Sequence, residues 1–352
     1  MYLGLDIGRQ YVKMVAVDKN KEGYKIIDAG SRLVPEPNTT YDPEKIDKSH
    51  WVMAVKELFR QQNFNPKKVK GLITGINGSL ASVKQITTME MPSEELESAM
   101  TFEARKHIPM DGTDAVIDYQ ILGSNKLEVD KIDVGLVACT KGVLNNHIDL
   151  IKDCGLKPGV IDVNPIAMSN VFSFIKDIPD DGLVVLLDIG AISSSLVVYG
   201  KGQQFFTRDL PIGGHNFIKE VCDKKEISYT DAQDLLFREG LNALKKDNET
   251  NLTDVVGIAE RTVFDNLVED LRRSLRFYGK QTGQSFFLKI FLTGGGAETV
   301  GLSDFITEKL NIECSILDPF ENLNGSEKLS ITNKSQFTTA LGLGIRGGMS
   351  VE

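Results

Sequence analysis

Two stretches of the chain share one pattern of hydrophobic and polar positions. Each is an apolar run of strand length that is interrupted by Asp-Ile-Gly and then resumes, at residues 3–17 and 184–199. An apolar run interrupted by Asp-x-Gly is typical of a β-hairpin whose tight turn needs glycine and whose first strand ends in an acid. The pattern therefore predicts two similar hairpins, one in each half of the chain.

A repeated hairpin of this kind indicates two similar domains that face each other across a cleft. Each domain would offer backbone N–H groups and one carboxylate to a phosphate chain and its cation. Asp6 and Asp188 would hold Mg²⁺ through water, because this small ion keeps most of its hydration shell; alternatively, each accepts hydrogen bonds from its own turn. Gly8 and Gly190 would permit both the turn and a close approach of phosphate to the backbone.

Hydrophobic periodicity predicts the elements that surround the hairpins. A strand at 23–33, a helix near 45–62 and a strand at 70–76 follow the first hairpin. Strands at 203–208 and 289–292 follow the second hairpin. Three strands, a helix and a further strand are the start of a ribonuclease-H-like layer, an α/β design with a twisted sheet.

A separate module is predicted between residues 82 and 156. Its order is a strand at 86–91, a helix that ends at Ile108, two strands, and a helix at 141–153. Ser93 is the predicted N-cap of the first of these helices. The module contains no recognisable catalytic constellation.

Composition narrows the class of function. The 352 residues are 41% hydrophobic, which is sufficient for two or three domains with real cores. A net charge of -9 argues against nucleic-acid binding through a broad basic face. The four scattered cysteines favour reduced thiols in a cytosolic protein. Because the chain shows neither a basic, apolar leader nor an uncharged run of about 18 residues, we expect a cytoplasmic protein that reaches a membrane only through partners.

Glycines elsewhere in the chain add candidates for a nucleotide site. Gly294, Gly295 and Gly296 lie between a strand and a helix, where bare backbone suits a base and ribose lying flat. Gly213 and Gly214 begin a helix and would form a wall beside the ribose or phosphates, although an ordinary helix start explains them equally well.

These elements together resemble the actin-like ATPase superfamily over the whole chain. Five family elements occur in order, namely the first phosphate hairpin, the first connecting segment, the second phosphate hairpin, the adenosine turn and the second connecting helix, at residues 6–13, 160–170, 188–194, 292–296 and 338–346. The resemblance implies two ribonuclease-H-like domains around a nucleotide cleft that binds ATP and Mg²⁺. The ATP-binding residues that it implies are Asp6, Gly8, Arg9, Gln10, Lys13, Asp188, Gly190, Ala191, Gly213, Gly214, Arg273, Gly294, Gly295 and Gly296.

Two of these residues have equally simple alternatives. Lys13 matches the family lysine that reaches the phosphates, but a lysine on a strand can also face solvent. Arg273, like its neighbour Arg272, could stack its guanidinium plane on adenine, but a long predicted helix at 259–280 also needs a solvated face.

A narrower resemblance is to PilM, a family of actin-like type IV pilus assembly proteins. It rests on FEARKHIPMD at 102–111, together with LDIGRQYVKMV, DVNPIAMSN and RRSLRFYGK. The inserted module also falls where the related cell-division protein FtsA carries its extra subdomain. The resemblance implies a cytoplasmic ATP-binding scaffold, peripheral at the inner membrane, that holds the N-terminal cytoplasmic tail of PilN and meets other assembly-platform or motor components.

This resemblance predicts the domain boundaries. Residues 1–81, 157–178 and 338–352 would form the first domain, 82–156 the inserted subdomain, and 179–337 the second domain. The partner groove would lie near the strand at 86–91 and the helix end at residues 107–110. An FtsA-like filament-forming division protein and a small-molecule kinase of the same fold remain as alternative functions.

The first connecting segment departs from the pattern of efficient hydrolases. Where they carry Glu or Gln to position water, this chain has Asn164, which cannot act as a general base. Asp162, two residues earlier and predicted on the same strand face, is the other catalytic candidate. The first hairpin also carries Arg9, Gln10 and Tyr11 in place of small hydroxyl residues. We therefore expect ATP binding with slow or absent hydrolysis.

Overall fold

The computed structural model describes residues 1–21, 23–35, 42–106, 114–178, 180–244 and 261–349. The strands are β1 (Tyr2–Ile7), β2 (Tyr11–Asn20), β3 (Gly23–Leu33), β4 (Gly71–Ile76), β5 (Ala81–Met89), β6 (Ala115–Ser124), β7 (Lys131–Thr140), β8 (Val160–Val163), β9 (Leu183–Ile189), β10 (Ser194–Tyr199), β11 (Phe206–Leu210), β12 (Phe287–Thr293) and β13 (Glu313–Ile316). The helices are α1 (Lys48–Gln61), α2 (Ser93–Arg105), α3 (Lys141–Asp153), α4 (Asn164–Ile175), α5 (Gly214–Lys225), α6 (Tyr229–Glu239), α7 (Val263–Thr282), α8 (Leu302–Leu310) and α9 (Thr338–Met349).

Two five-stranded sheets have the same design. Their strand orders are β3-β2-β1-β4-β8 and β11-β10-β9-β12-β13, with an antiparallel hairpin followed by parallel strands in each. The central strands are apolar because both of their faces are covered; Leu183 to Leu187, for example, are all buried. The predicted duplicated α/β architecture is confirmed by this identical order.

The helices α4 and α9 pack between the two sheets. Buried side chains from β2, α4, β9 and α9 form one apolar cluster that includes Val15, Phe172, Leu186 and Leu341. The backbones approach closely, since a Cβ atom on Gly342 would lie 1.9 Å from the carbonyl oxygen of Ala167. Both connecting helices thus hold the two sheets in a shared core and fix the cleft between the hairpins.

The inserted module is built on a third sheet, in the order β5-β7-β6, with α2 against it. Its second helix, α3, begins at the N-cap Thr140, whose hydroxyl accepts a hydrogen bond from the Val143 N–H. The far end of α3 belongs to the core of the first sheet, where Leu150 and Ile151 pack with Leu58 of α1. Helix α3 therefore contacts both the third sheet and the core of the first sheet.

Several element boundaries differ from those predicted. The strand expected at 86–91 begins at Ala81, because it pairs with β7 along its whole length. Ser93 is the first helical residue rather than the cap, and Pro92 precedes it without a side-chain cap. Helix α6 was not predicted. Residues 107–110 and the predicted helix start at 259 lie outside the described residues.

Within the ranges given above, no helix combines the length and the apolar character needed to cross a lipid bilayer.

Candidate functional site

Both Asp-Ile-Gly hairpins open onto one cavity of about 200 Å³ between the two sheets. Most of the predicted binding residues line it. They are Asp6, Gly8, Arg9, Gln10, Lys13, Asp188, Gly190, Ala191, Gly214, Gly294, Gly295 and Gly296. Residues that are far apart in sequence are therefore brought to one place by the duplicated fold.

Lys13 points into this cavity and not to solvent. It lies directly opposite Asp6 in the antiparallel pairing of β1 and β2. Its Nζ atom is 2.5 Å from Asp6 Oδ2, and the two side chains are only 14% and 11% exposed. A shielded lysine beside a carboxylate can contact a phosphate while the carboxylate faces a hydrated cation.

Asp188 occupies the matching position in the second hairpin. Burial raises the pKa of Asp188 to about 6, Lys13 opposes this rise, and the carboxylates of Asp6 and Asp209 add to it. Two acidic side chains with one lysine near them form a site that gains from a further positive charge. The donor set therefore fits Mg²⁺ held through its waters.

The turn glycines of the two hairpins have the same structural role. The N–H of Gly8 donates to the Tyr11 carbonyl at 3.1 Å, and the N–H of Gly190 donates to Ser193 at 3.0 Å. A Cβ atom on either glycine would come within 3 Å of that same acceptor oxygen. These glycines thus close the turns, and phosphate contacts would fall to the turn residues that follow them.

Helix α1 supports the first of these turns. The indole N–H of Trp51 donates to the Gly8 carbonyl at 2.9 Å. Arg9, which lines the cavity, also donates from its Nη1 atom to the Pro43 carbonyl at 2.8 Å. The first hairpin is therefore held on its outer side before any ligand binds.

The three glycines after β12 have different surroundings. Gly294 adopts φ +87°, and a Cβ atom there would lie 2.5 Å from Asp188 Oδ1. A Cβ atom on Gly296 would strike the Ile189 side chain at 2.5 Å, whereas one on Gly295 would meet nothing within 4 Å. Two of the glycines thus serve packing against β9, and Gly295 is the one that leaves open space for a base or ribose.

Helix α6 supplies a cavity wall that sequence reasoning missed. Gln233, Leu236 and Phe237 line the cavity at helical spacing, and Phe237 is 79% exposed. The sequence feature that could have predicted this helix is its N-cap, Ser228. The Ser228 hydroxyl accepts a hydrogen bond from the Asp231 N–H three residues later. An exposed aromatic ring on such a wall can stack on a planar base.

Three predicted residues are not brought to the cavity lining. Gly213 presses the start of α5 onto the second hairpin, where a Cβ atom would lie 2.6 Å from the Ser193 nitrogen. Arg273 is 65% exposed on α7 and its Nη1 atom lies 3.6 Å from Asp270. Asp162 has its Oδ2 atom 3.7 Å from Arg346 Nε on α9, and burial raises its pKa.

Asn164 and Asp162 are separated because β8 ends between them. Asn164 is the first residue of α4 and lines the cavity, so the strand alternation that would have placed both side chains on one face is broken. The Oδ1 atom of Asn164 is buried and has no hydrogen-bond partner within the described part of the chain. This oxygen lies against β4, where a Cβ atom on Gly75 would be 2.2 Å from it.

A second cavity, of about 530 Å³, lies at the base of the inserted subdomain. Its lining comes from β5, β7, the start of α3, β11 and the short turn Gly78–Leu80. We refer to this cavity as the basal groove.

Comparisons with known proteins agree on the fold. A chain of the solved PilM-PilN type IV pilus biogenesis complex is 24% identical, with a TM-score of 0.80 and coverage of 98% of both chains. MreB 5 of Spiroplasma citri bound to AMPPNP has a TM-score of 0.51 at 13% identity, over 99% of this chain and 96% of its own. The fold is thus that of the actin-like ATPases.

Sequence relatives lead to the same group of proteins. The cell division protein FtsA of Bacillus subtilis is 21% identical over 91% of this chain and 79% of its own length. The family of type IV pilus assembly protein PilM matches residues 4–348. Because that match spans nearly the whole sequence, this chain belongs to the PilM family.

Proposed function

We propose that this chain is an ATP-binding cytoplasmic scaffold of the type IV pilus assembly platform, peripheral at the inner membrane, which binds the N-terminal cytoplasmic tail of PilN. The main support for ATP binding is that both Asp-Ile-Gly hairpins converge on one cavity. The partner half is supported by membership of the PilM family and by the likeness to a chain of a PilM-PilN complex.

In the nucleotide site, each group has a distinct task. Asp6 and Asp188 accept hydrogen bonds from the waters of Mg²⁺, and Lys13 contacts the phosphates. The base and ribose lie between Gly295 and the α6 wall, where Phe237 offers an aromatic face. A nucleotide held in this way contacts residues of both sheets.

Hydrolysis in this site is slow or absent. Asn164 stands at the cavity where a water would have to be activated, and an amide side chain takes no proton. Asp162 can take a proton but lies outside the lining, beside Arg346. Neither of the two catalytic candidates in the connecting segment is therefore placed as a general base, and we expect the chain to hold nucleotide rather than turn it over.

The tail of PilN occupies the basal groove. Short extended segments are recognised in apolar grooves and along sheet edges. Residues 81–84 of β5 line this groove, whereas residues 86–91, which were expected to neighbour the partner, do not line it. Leu80 lines it and is 54% exposed, so its side chain is available to a peptide.

Co-purification with PilN tests this proposal. Leu80→Arg places a charge in the basal groove and is expected to reduce recovery of PilN by tenfold or more, about 1.4 kcal/mol. Leu127→Arg is the matched control, because Leu127 is 94% exposed on the loop between β6 and β7 and does not line the groove. Failure of the wild-type chain to retain PilN would contradict the proposal. Equal recovery with both variants would show that the basal groove is not the binding site of the PilN tail.

A further inference from the structure

Exposed lysines collect at one end of the first sheet. This end is formed by the starts of β1, β3, β4 and β8 and by the end of β2, whereas the nucleotide cavity lies at the other end. Six exposed lysines lie at or beside these strand ends and form what we term the lysine row: Lys19, Lys21, Lys25, Lys68, Lys70 and Lys157.

The lysine row extends across the full width of the sheet. Tyr2 of β1 lies opposite Val17 and beside Gly71, and the N–H of Lys70 donates to the Met1 carbonyl at 3.0 Å. Neighbouring strands are about 4.8 Å apart, so five strand ends cover about 19 Å. The lysines therefore form a broad charged edge, and none of them lines either cavity described above.

Little negative charge offsets the lysine row. Among the described residues of segments 18–25, 68–71 and 157–160, Asp18 is the one acid, and it pairs with the amino group at the start of the chain. Glu22 lies outside the described residues. This edge is thus strongly basic on a chain whose net charge is -9. Such an asymmetry of charge indicates an acidic partner surface.

The duplicated fold provides an internal comparison. The corresponding end of the second sheet consists of the starts of β9, β12 and β13 and the turn between β10 and β11. Three acids and one lysine lie there, namely Asp180, Asp181, Glu313 and Lys201, and the lysine Nζ atom is 2.5 Å from Asp180 Oδ1. The fold itself therefore does not require lysines at this end of a sheet.

Exposed apolar side chains flank the lysine row at the ends of the two connecting helices. Phe174 of α4 is 43% exposed, and its ring packs edge-to-face against Tyr24 at 5.1 Å. Met349 of α9 is 50% exposed, and the carbonyl of the preceding Gly348 accepts from Lys19 Nζ at 3.2 Å. Cations beside exposed apolar side chains suit the boundary between lipid headgroups and acyl chains.

Both cavities lie at the opposite end of the first sheet. Strand β2 passes from Lys13, which lines the nucleotide cavity, to Lys19 in the row, a distance of about 20 Å at about 3.4 Å per residue. The chain leads from Lys70 through β4 to Asn77, which lines the nucleotide cavity, and to Ser79, which lines the basal groove. A surface that binds the lysine row therefore leaves both cavities accessible.

We propose that the lysine row is a docking surface for an anionic lipid bilayer, so that the chain contacts the membrane directly as well as through its partner. Clusters of this many lysines are attracted to the negative surface potential of anionic lipids. A bilayer is favoured over an acidic peptide, because the charges are spread along a sheet end, whereas short peptides are held in grooves or pockets. This inference goes beyond the scaffold function and requires neither nucleotide nor the PilN tail.

Co-sedimentation of the full chain with lipid vesicles tests the proposal in the absence of partner and nucleotide. The vesicles contain phosphatidylcholine alone or mixed with an equal amount of phosphatidylglycerol. We expect the chain to pellet with the anionic vesicles only at about 0.1 M salt, and to be released at about 1 M salt, because the Debye length falls from about 10 Å to about 3 Å. No binding, equal binding to both kinds of vesicle, or binding that salt does not weaken would overturn the proposal.

Charge reversal locates the binding surface. Lys21→Glu combined with Lys68→Glu should lower the partition onto anionic vesicles by about tenfold or more. Lys45→Glu combined with Lys141→Glu is the matched control, because it changes the net charge equally at side chains that are 83% and 59% exposed and lie outside the row. The control should retain the wild-type partition, and both double variants should keep the wild-type thermal midpoint. An undiminished partition of the row variant, or an equal loss in the two variants, would contradict the assignment.

A soluble acidic probe separates the bilayer from an acidic protein partner. If the chain stays in the supernatant with both kinds of vesicle but binds polyglutamate in a titration, the lysine row recognises acidic protein segments and the lipid proposal is overturned. Failure of vesicle binding leaves the scaffold function standing, because binding of nucleotide and of the PilN tail is measured separately and without lipid.

Discussion

Single residues at the cavity differ in what they contribute even when they are neighbours. The position of Gly294 requires glycine, because the residue adopts φ +87° and a Cβ atom there would contact Asp188 and the Ile189 backbone. Gly295 is free of such contacts and borders the cavity. A glycine triplet thus contains a folding requirement and a binding surface side by side, and alanine substitutions separate the two.

Gly294→Ala is expected to destabilise the chain by more than about 1 kcal/mol, since the left-handed backbone and the contact at 2.5 Å both oppose a Cβ atom. Gly295→Ala should leave the thermal midpoint of the ligand-free chain nearly unchanged and weaken nucleotide binding, because its methyl group enters the space for the base. Thermal denaturation and nucleotide titration of both variants check this. Equal loss of stability in the two variants would be inconsistent with the difference in their surroundings.

His147 makes the free energy of unfolding depend on pH. Its Nε2 atom lies 2.8 Å from Thr74 Oγ1 between α3 and β4, and burial lowers the pKa of His147 below its ordinary 6.5. As pH falls below about 6.5, the unfolded chain takes up this proton before the folded chain, so stability decreases with falling pH down to the folded pKa.

His147→Gln removes this titration. Its thermal midpoint should fall less than that of the wild-type chain between about pH 7 and about pH 5.5. Parallel pH curves for the two proteins would show that this residue does not carry the effect.

At the scale of elements, the cleft depends on how closely α9 approaches its neighbours. Cβ atoms on Gly4 and Gly342 would each lie 1.9 Å from a carbonyl oxygen, of Ala340 and Ala167 respectively. Both contacts involve the connecting elements that hold the two sheets in one core. Added volume here must separate backbones, which a packed interior resists.

Gly342→Ala is therefore expected to cost about 1–3 kcal/mol of stability, as overpacking does in cores, despite the better helix propensity of alanine. Gly142→Ala is the matched control in a helix, because a Cβ atom there has only Thr140 Oγ1 nearby, at 3.9 Å. That variant should be as stable as wild type or up to about 1 kcal/mol more stable. Chemical denaturation of both measures the difference, and a harmless Gly342→Ala would contradict the close approach of α9.

At the scale of the whole molecule, features formed by residues that are neighbours in sequence could be predicted. Contacts between elements that are distant in sequence could not. The hairpins at Asp6 and Asp188 were predictable because apolar runs and turn glycines are local features. The α6 wall depends on which helices and strands become neighbours after folding, and periodicity contains no such information. Asp162 is an example. Strand alternation predicted that its side chain would share a face with Asn164, but β8 ends at Val163 and Asn164 begins α4.

The central claim is that the two hairpins hold ATP without turning it over. A calorimetric titration with ATP and Mg²⁺, followed by chromatography of the bound nucleotide, tests it most directly. We predict saturable binding of one nucleotide per chain, dependence on Mg²⁺ that Asp188→Asn removes, and recovery of intact ATP. No binding, or conversion to ADP faster than about one turnover per second, would contradict the account.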